Sequence, residues 1–286
     1  MVHQMINKLS IGNNVNGIYL LRSGKTMQSK KGDIYFVGTL ADRSGGISCV
    51  YWNYTGSLDQ ELGAPILITG KVKEYQGKKQ ITIYSAQPAP EDAVILSEIL
   101  PTATDDAGFL YHKTRMAIAT IEDDDYRLIC ETIYDENKEL LLTAPASVSS
   151  HHAYLGGYLT HIYAMVSGAI FLSVQYPAVN RSLLLTAVLL HDIGKLLSYK
   201  YSRYGYAYGY TDQGTLLGHA SLGSSLVYDT AMQLAIAEDK VLPLQNIILH
   251  HHNIGDHTQL CCSEGKLLQT LDYVDCCAVT AKDRAA

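Results

Sequence analysis

The sequence predicts a two-domain protein in which a small five-stranded β-barrel is followed by an all-helical domain. Residues 15–88 contain only short β-branched or aromatic runs separated by turn residues. After residue 91 the apolar residues recur with helical spacing. A chain of 286 residues is long enough for two domains, each with its own core. We expect a barrel over residues 1–90, a helical linker over 91–145 and the helical domain over 146–286.

The five predicted strands are short and lie close together in the sequence. They begin near Ile18, Asp33, Ile47, Ile66 and Gln80. Turn residues such as Ser23-Gly24 and Gln76-Gly77 separate them. Five short strands without a helical run between them favour a closed barrel, and Pro88 and Pro90 mark its end.

The helical domain is predicted from five apolar runs with helical spacing. They cover residues 155–174, 181–190, 219–234, 244–252 and 264–281. The segment between His191 and His219 is rich in Gly and Tyr, so we predict a loop there. Residues 158–176 are nearly long enough to span a membrane, but they include His161 and Gln175, which favours a buried core helix.

Charge and cysteine usage restrict the class of protein. Residues 1–90 carry ten Lys/Arg and five Asp/Glu, a formal charge of +5, within a chain of net charge −6. A basic module joined to an acidic one predicts that the first half contacts a polyanion, with chance as the alternative.

The cysteine pattern indicates the compartment. The six cysteines include no CxxC motif, and no secretory signal is recognisable. We therefore expect reduced thiols, a cytoplasmic location and no membrane partner.

Histidine and aspartate residues recur beside the apolar helical runs. His191 and Asp192 directly follow the apolar run 183–190, and a buried carboxylate is costly unless it is paired or bound to metal. The other members of this set are His161, His219, residues 250–252, Asp272 and Asp275. Each alone has an ordinary interpretation as a hydrogen-bonded core residue or an ion-pair partner. The order His…His-Asp…His…His…Asp as a whole predicts a metal centre, and its ligand types suit Mn, Fe, Co, Ni or Zn.

With this order of residues the chain resembles the HD superfamily of metal-dependent phosphohydrolases, and within it the YhaM-type 3′-to-5′ exoribonucleases. The motifs that carry the resemblance include Leu40-Ala-Asp-Arg-Ser-Gly-Gly-Ile, Tyr75-Gln-Gly-Lys-Lys-Gln-Ile, His151-His-Ala-Tyr-Leu-Gly-Gly-Tyr-Leu-Thr-His161, His191-Asp-Ile-Gly-Lys, Tyr210-Thr-Asp-Gln-Gly-Thr-Leu-Leu-Gly-His219, Ile247-Ile-Leu-His-His-His252 and Leu271-Asp-Tyr-Val-Asp275. They extend over nearly the whole chain. The resemblance implies an OB-like barrel followed by an all-α HD domain.

The resemblance also implies one or two divalent ions. The first would be bound by His161, His191, Asp192 and Asp272. A second would share Asp192 and use His219 and His251, which motif position favours over His250 and His252. Mn²⁺ is the ion that the resemblance suggests. Thr160 departs from the pattern, since an acidic residue often precedes the first ligand histidine in this family.

Further residues are assigned to catalysis and to substrate. Asp192 is predicted to be catalytic as the bridging ligand, and Lys195 as a cation that neutralises charge on the phosphate, with a solvated lysine after a helix end as the alternative. His151, His152 and Tyr210 are candidate substrate contacts. Helix capping or local hydrogen bonding is the alternative for the two histidines, and one face of a β-hairpin for the tyrosine.

The barrel supplies the predicted nucleic-acid contacts. They are Tyr35, Trp52, Tyr75, Lys78 and Lys79. Aromatic side chains stack on unpaired bases and lysines attract the phosphates, although some of these aromatics are expected to belong to the core.

Together these patterns predict a metal-dependent 3′-to-5′ exoribonuclease of single-stranded RNA, with single-stranded DNA as a second candidate substrate. RNA and the direction of digestion come from the resemblance alone. Two alternatives are an HD enzyme acting on small nucleotides, which would not need the barrel, and a nucleic-acid-binding protein with a structural HD domain, which would not need every ligand. No GxSxG, P-loop or dinucleotide motif occurs. Whether the chain forms a homo-oligomer is left open.

Overall fold

The computed structural model describes residues 3–52, 54–58, 62–100, 105–148, 152–252 and 262–285. The chain forms two compact units. One consists of Met1–Thr102 with Tyr201–Tyr208, and the other of Ala103–Lys200 with Gly209–Ala286. The segment predicted as a linker is therefore divided between the two units at residue 102.

The first unit contains a closed barrel of five strands. The strands are β1 (Asn14–Gln28), β2 (Ile34–Asp42), β3 (Gly45–Trp52), β4 (Pro65–Tyr75) and β5 (Lys78–Pro88). Their order around the barrel is β1-β2-β3-β5-β4, and all neighbours are antiparallel except β3 and β5. This confirms the predicted five-stranded OB-like barrel.

Strand β1 is much longer than the predicted run that begins at Ile18. Residues 14–20 pair with β4 and residues 20–28 pair with β2, and a bulge between Leu21 and Ser23 lies near the start of the part that pairs with β2. A bulge bends a strand and increases its twist, so one strand can serve two sides of the barrel. The alternating residues that point inward, such as Tyr19, Leu21 and Phe36, are almost fully buried.

The five predicted helical runs all overlap described helices, although α8 and α9 begin earlier than the runs predicted from 219 and 244. They are α1 (Leu96–Ile99), α2 (Ala107–Ile118), α3 (Asp124–Glu136), α4 (Lys138–Leu141), α5 (Gly157–Gln175), α6 (Arg181–Leu190), α7 (Lys195–Ser198), α8 (Asp212–Gln233), α9 (Glu238–His250) and α10 (Ser263–Ala285). Helix α6 is the centre of the second unit, because every residue from Ser182 to Leu190 is buried and the helix packs against α3, α5, α9 and α10. An apolar surface on all sides is typical of a fully buried helix.

Helix α5 is the apolar run that resembled a membrane span. By length and composition alone it could cross a membrane, but half of this apolar stretch is buried inside the unit, and a single such helix among the described residues is weak evidence for a span. It packs against α2, α6 and α10 and carries the fully buried His161. These contacts fit the predicted core helix.

The prediction of a loop between His191 and His219 is wrong in part. Helix α7 and a hairpin of β6 (Tyr199–Tyr201) and β7 (Ala207–Tyr210) occupy its first half, and α8 begins at Asp212 rather than at His219. The Thr211 hydroxyl caps α8 by accepting a hydrogen bond of 2.9 Å from the Gly214 nitrogen. Gly218 interrupts α8 with a φ of 74° and a ψ of 159°, so the helix bends immediately before His219.

Candidate metal centre

The His191–Asp192 pair lies at the buried end of α6. His191 is fully buried and Asp192 is 1% exposed. Because the Val188 carbonyl can only accept, His191 Nδ1 donates to it, at 2.9 Å, and the Nε2 atom keeps its lone pair. His251 follows α9 in the same way, with Nδ1 donating to the Ile248 carbonyl at 2.6 Å. Both imidazoles therefore present an unprotonated Nε2 atom.

Asp192 is the point on which four imidazoles converge. Its Oδ2 atom lies 3.5 Å from His191 Nε2 and 3.6 Å from His161 Nε2. Its Oδ1 atom lies 3.3 Å from His219 Nε2 and 3.7 Å from His251 Nε2. Each carboxylate oxygen thus faces two ring nitrogens, which divides the cluster into two halves that share Asp192.

Helix α10 and the histidine run complete the cluster. Asp272 Oδ1 lies 3.5 Å from His161 Nε2, and Asp272 Oδ2 lies 3.8 Å from His252 Nδ1. His252 Nε2 in turn is 3.0 Å from His219 Nε2. The structure therefore brings together all six residues that the resemblance implied as ligands, and His252 joins His251 at the same place.

Burial controls the protonation of these groups. It lowers the pKa of His191 to about 3 and that of His219 to about 4. Burial alone would raise the pKa of Asp192, but the nearby positive charge of Lys195 holds it well below its ordinary value. Neutral imidazoles around an ionised carboxylate are the protonation state that binds a metal ion.

Lys195 is buried beside the cluster rather than solvated. It is 7% exposed, and its Nζ atom lies 2.5 Å from Asp192 Oδ2. The alternative interpretation, a solvated lysine after a helix end, therefore does not describe it. Its predicted contact with a substrate phosphate stays a prediction.

A second group of side chains adjoins His161 on the side away from Asp192. Asp275 Oδ2 accepts from His161 Nδ1 at 2.8 Å and from His152 Nε2 at 2.9 Å. These hydrogen bonds hold the pKa of Asp275 below its ordinary value, although burial acts in the opposite direction. The sequence indicated this role only through the i, i+3 spacing of Asp272 and Asp275, which places both on one face of α10.

The three predicted substrate contacts have different surroundings. His151 lies outside the described residues. His152 is 5% exposed and bonded to Asp275. Tyr210 is 51% exposed at the end of the hairpin, with its ring edge-on to Tyr199 at a centroid distance of 5.3 Å.

In the barrel, three predicted aromatic contacts share one groove of about 330 Å³. Tyr35 and Trp52 are stacked at a centroid distance of 4.7 Å, and Tyr75 also lines the groove. Trp52 and Tyr75 are at least half exposed, and none of the three belongs to the core. Lys78 and Lys79 line a different depression.

Lys79 has a structural contact in the barrel unit. Its Nζ atom donates a hydrogen bond of 2.6 Å to the Leu9 carbonyl. The lysine thereby ties the segment before β1 to β5. An ammonium group has three hydrogens to donate, and the contact of Lys79 with nucleic acid stays a prediction.

Comparison with known proteins gives one family model and several similar proteins. The HD domain family model matches residues 151–276. The 3′-5′ exoribonuclease YhaM of Oceanobacillus iheyensis is 30% identical over 275 residues, which cover 93% of this chain and 85% of that protein. The enzyme of the same name from Bacillus subtilis is 27% identical over 274 residues, covering 93% and 85%. A solved structure, the second OB-fold domain of replication protein A from Methanococcus maripaludis, is 17% identical with a TM-score of 0.27, covering 31% of this chain and 95% of that one.

Proposed function

This chain belongs to the YhaM family of 3′-5′ exoribonucleases, and we propose on that premise that its His/Asp cluster binds the divalent ions with which it hydrolyses single-stranded RNA. The protein is a 3′-5′ exoribonuclease with an HD phosphohydrolase domain. The proposal adds the residues of the site, the ion and the RNA contacts.

The observation that carries the proposal is the surroundings of Asp192 Oδ1. Among the described residues this buried oxygen has no hydrogen-bond partner, although two imidazole nitrogens lie within 3.7 Å. A buried carboxylate oxygen without a partner is costly. Two nitrogen ligands about 2.1 Å from one ion in a tetrahedral site lie about 3.4 Å apart, close to the separations around Asp192. The donor set therefore fits a divalent metal ion.

The first ion would be held by His161, His191, Asp192 and Asp272. A second would be held by His219 and His251 together with the shared Asp192, and His252 lies at hand as a further nitrogen ligand. Imidazole and carboxylate ligands accept several first-row ions, and we propose Mn²⁺ as the physiological one. A bound ion of this kind supplies a Lewis acid for the phosphate and lowers the pKa of water from about 15.7 toward about 7.

The protein residues prepare the site for this chemistry. The backbone carbonyls of Val188 and Ile248 keep the Nε2 atoms of His191 and His251 free of protons. Burial lowers the pKa of His191 and of His219 and so keeps these two imidazoles neutral near pH 7. Lys195 balances the charge of Asp192, and we propose that its ammonium group also contacts the phosphate as negative charge increases there.

The barrel groove is proposed to bind the RNA strand. Tyr35, Trp52 and Tyr75 offer three aromatic rings in one groove, and Lys73 lines the same groove. Stacking on aromatic rings tolerates any base, which suits an enzyme that degrades RNA regardless of sequence. Single-stranded DNA presents the same stacking surface and is proposed as a weaker second substrate. We also propose a cytoplasmic location, which the buried, unbridged thiols of Cys49 and Cys130 support.

The proposal is tested with RNA labelled at its 5′ end. Wild-type protein with Mn²⁺ should produce a ladder of fragments shortened from the 3′ end, and EDTA should abolish it. Asp192→Asn should lose at least about 1,000-fold in turnover, since a ligand shared by both halves of the cluster loses its charge. Asp229→Asn, an exposed carboxylate on α8, is the matched control and should behave as wild type.

Parallel reactions with a cyclic dinucleotide and a dNTP complete the test. Hydrolysis of only these small nucleotides would show a different substrate class for the same centre. RNA binding without turnover under any metal would show that the HD domain is structural. Full activity of the Asp192→Asn variant would show that the proposed metal centre is not the site of catalysis.

A further inference from the structure

We propose that Asp275 positions the metal ligand His161, and that His152 holds Asp275 in the required place; this rests on the metal centre proposed above. Asp275 would then act through His161 and would contact neither the ion nor the RNA.

The hydrogen bonds fix which nitrogen of His161 carries the proton. An ionised carboxylate only accepts hydrogen bonds, so His161 Nδ1 must donate to Asp275 Oδ2 across their 2.8 Å separation. The His161 Nε2 atom is then the one with a lone pair. It is also the nitrogen that lies 3.6 Å from Asp192 and 3.5 Å from Asp272. Asp275 therefore directs the correct nitrogen toward the centre.

His161 needs such a partner because of its place in the fold. His191 and His251 stand at the ends of α6 and α9, where carbonyl groups without a partner in the helix can accept from Nδ1. His161 lies within α5, where the carbonyl groups are used by the helix itself. A side chain from another helix must replace the carbonyl, and Asp275 on α10 does so. A carboxylate behind a metal-binding histidine is a common arrangement in proteins.

His152 restrains Asp275 from the other side. Its Nε2 atom donates to the same Oδ2 atom at 2.9 Å, and its Nδ1 atom lies 2.6 Å from the Tyr154 hydroxyl. The backbone at His152 has a φ of 53°, in the left-handed region that residues other than glycine adopt uncommonly. In this conformation its ring reaches Asp275.

These three side chains are close enough to be considered as a metal site of their own. Both imidazoles, however, approach a single oxygen atom, Asp275 Oδ2, at ordinary hydrogen-bond lengths. These separations are shorter than the roughly 3.4 Å between two ligand atoms of one tetrahedrally bound ion. A hydrogen-bonded group that supports His161 explains the geometry, and a separate ion does not.

The first test measures the tautomer of His161 by NMR of ¹⁵N-histidine-labelled protein in EDTA. Wild-type protein should show the proton on Nδ1. Asp275→Leu, which removes the acceptor, should lose this preference, whereas Asp275→Asn, which keeps one acceptor oxygen, should retain part of it. Asp229→Leu is the control for the loss of an exposed carboxylate. This readout needs neither an ion nor activity.

The second test measures Mn²⁺ binding by calorimetry. Asp275→Leu should bind the ion about 10–100-fold more weakly, the usual effect of losing a partner behind a metal ligand, and excess Mn²⁺ should restore most of its turnover. Excess Mn²⁺ should not restore Asp192→Asn. His152→Leu should weaken binding less than Asp275→Leu, and His152→Gln, whose amide can still donate to Asp275, should recover most of the loss.

The outcomes separate this proposal from the one on which it rests. If wild-type protein binds no Mn²⁺, the metal centre is wrong, and the tautomer of His161 still reports whether Asp275 orients it. If folded Asp275→Leu protein keeps the wild-type tautomer and the wild-type Mn²⁺ affinity, the positioning role is overturned while the centre stands. Should Asp275→Leu not fold, Asp275→Asn and His152→Leu provide the same comparison with the same two readouts.

Discussion

Gly194 lies directly against the backbone of His219. A side-chain carbon at Gly194 would stand 2.0 Å from the His219 carbonyl oxygen and 2.4 Å from the Gly223 nitrogen. Backbone atoms cannot yield to such an overlap without a shift of α8. The absence of a side chain at Gly194 thus allows His219 Nε2 to come within 3.3 Å of Asp192 Oδ1.

Replacement of this glycine should damage the site more than the fold. Gly194→Ala forces α8 away from the His191–Asp192 turn, and a shift of about 1 Å in a catalytic group costs on the order of 100-fold in rate. We expect at least that loss in turnover at saturating Mn²⁺, with a destabilisation of about 1–3 kcal/mol. Gly209→Ala is the control, because a side-chain carbon there meets nothing within 4 Å. Equal turnover of the two variants would refute the argument.

Lys195 should matter for stability chiefly when no ion is bound. Its ammonium group offsets the buried charge of Asp192 at 2.5 Å, and loss of one partner of a buried ion pair typically costs about 3–5 kcal/mol. Lys195→Met should therefore lower the melting temperature strongly in EDTA and much less with Mn²⁺, whose charge replaces that of the lysine. If Lys195 also contacts phosphate, turnover falls at saturating Mn²⁺ although the ion binds normally. Unchanged turnover of Lys195→Met would show that Lys195 does not contact the phosphate.

Much of the fold and of the metal cluster could be predicted because the responsible patterns are local. The apolar run before His191 defines α6, and the length of this run places the side chains of His191 and Asp192 at the end of the helix. The order of the ligands along the chain could be matched to a family motif by motif. Tyr35 and Trp52 could be named as candidate contacts from residue type alone, whereas their stacking on each other could not.

The supporting residues could not be predicted because they act through distant parts of the chain. His152 and Asp275 are separated by 123 positions and are joined by one hydrogen bond. Gly194 is required only because α8 bends at Gly218 and returns against it. The early start of α8 depends on a cap at Thr211 and not on the apolar pattern from which we predicted the helices. Helix periodicity contains none of this information.

Gln269 should hold the histidine run against α10. Its buried side chain donates a hydrogen bond of 2.9 Å to the carbonyl of His250, the last residue of α9. Gln269→Leu leaves that carbonyl without its side-chain partner, which costs about 1–3 kcal/mol, and loosens His251. We expect lower thermal stability and weaker binding of a second Mn²⁺ ion in calorimetry. Gln233→Leu, at the exposed end of α8, should change neither quantity, and the idea fails if the two variants agree.

The metal-free protein should lose stability in mild acid. The pKa of His191 is lowered by burial to about 3 and that of His219 to about 4, from an ordinary value of 6.5. Between pH 6.5 and 4 the unfolded chain therefore binds more protons than the folded one. The free energy of unfolding then decreases as the pH is lowered, by at most about 1.4 kcal/mol per pH unit for each histidine. The pKa of Asp192 lies well below its ordinary value of 3.8, so its contribution is lost only at lower pH.

Thermal unfolding in EDTA across this pH range measures the effect. His219→Asn removes one of the histidines that titrate in this range, so its melting temperature should fall less steeply with acid than that of wild type. His112→Asn replaces an exposed histidine on α2 and should follow the wild-type curve. A steeper fall for His219→Asn than for wild type would contradict the assignment.

The barrel groove should determine how tightly long RNA binds, and not how fast the bond is cleaved. Trp52 is half exposed and stacks on Tyr35 within the groove, and loss of one aromatic–base contact costs about 1–3 kcal/mol, which is roughly 5–150-fold in affinity. Trp52→Ala should therefore raise KM for a long single-stranded RNA by that factor and leave kcat nearly unchanged. KM for a dinucleotide should not change, because so short a substrate needs no extended groove.

Tyr84→Ala is the control for this prediction. It removes an equally exposed aromatic of β5 that does not line the groove and should leave KM and kcat as in wild type. If Trp52→Ala lowers kcat on the dinucleotide as strongly as on long RNA, the groove does not act as a separate binding surface.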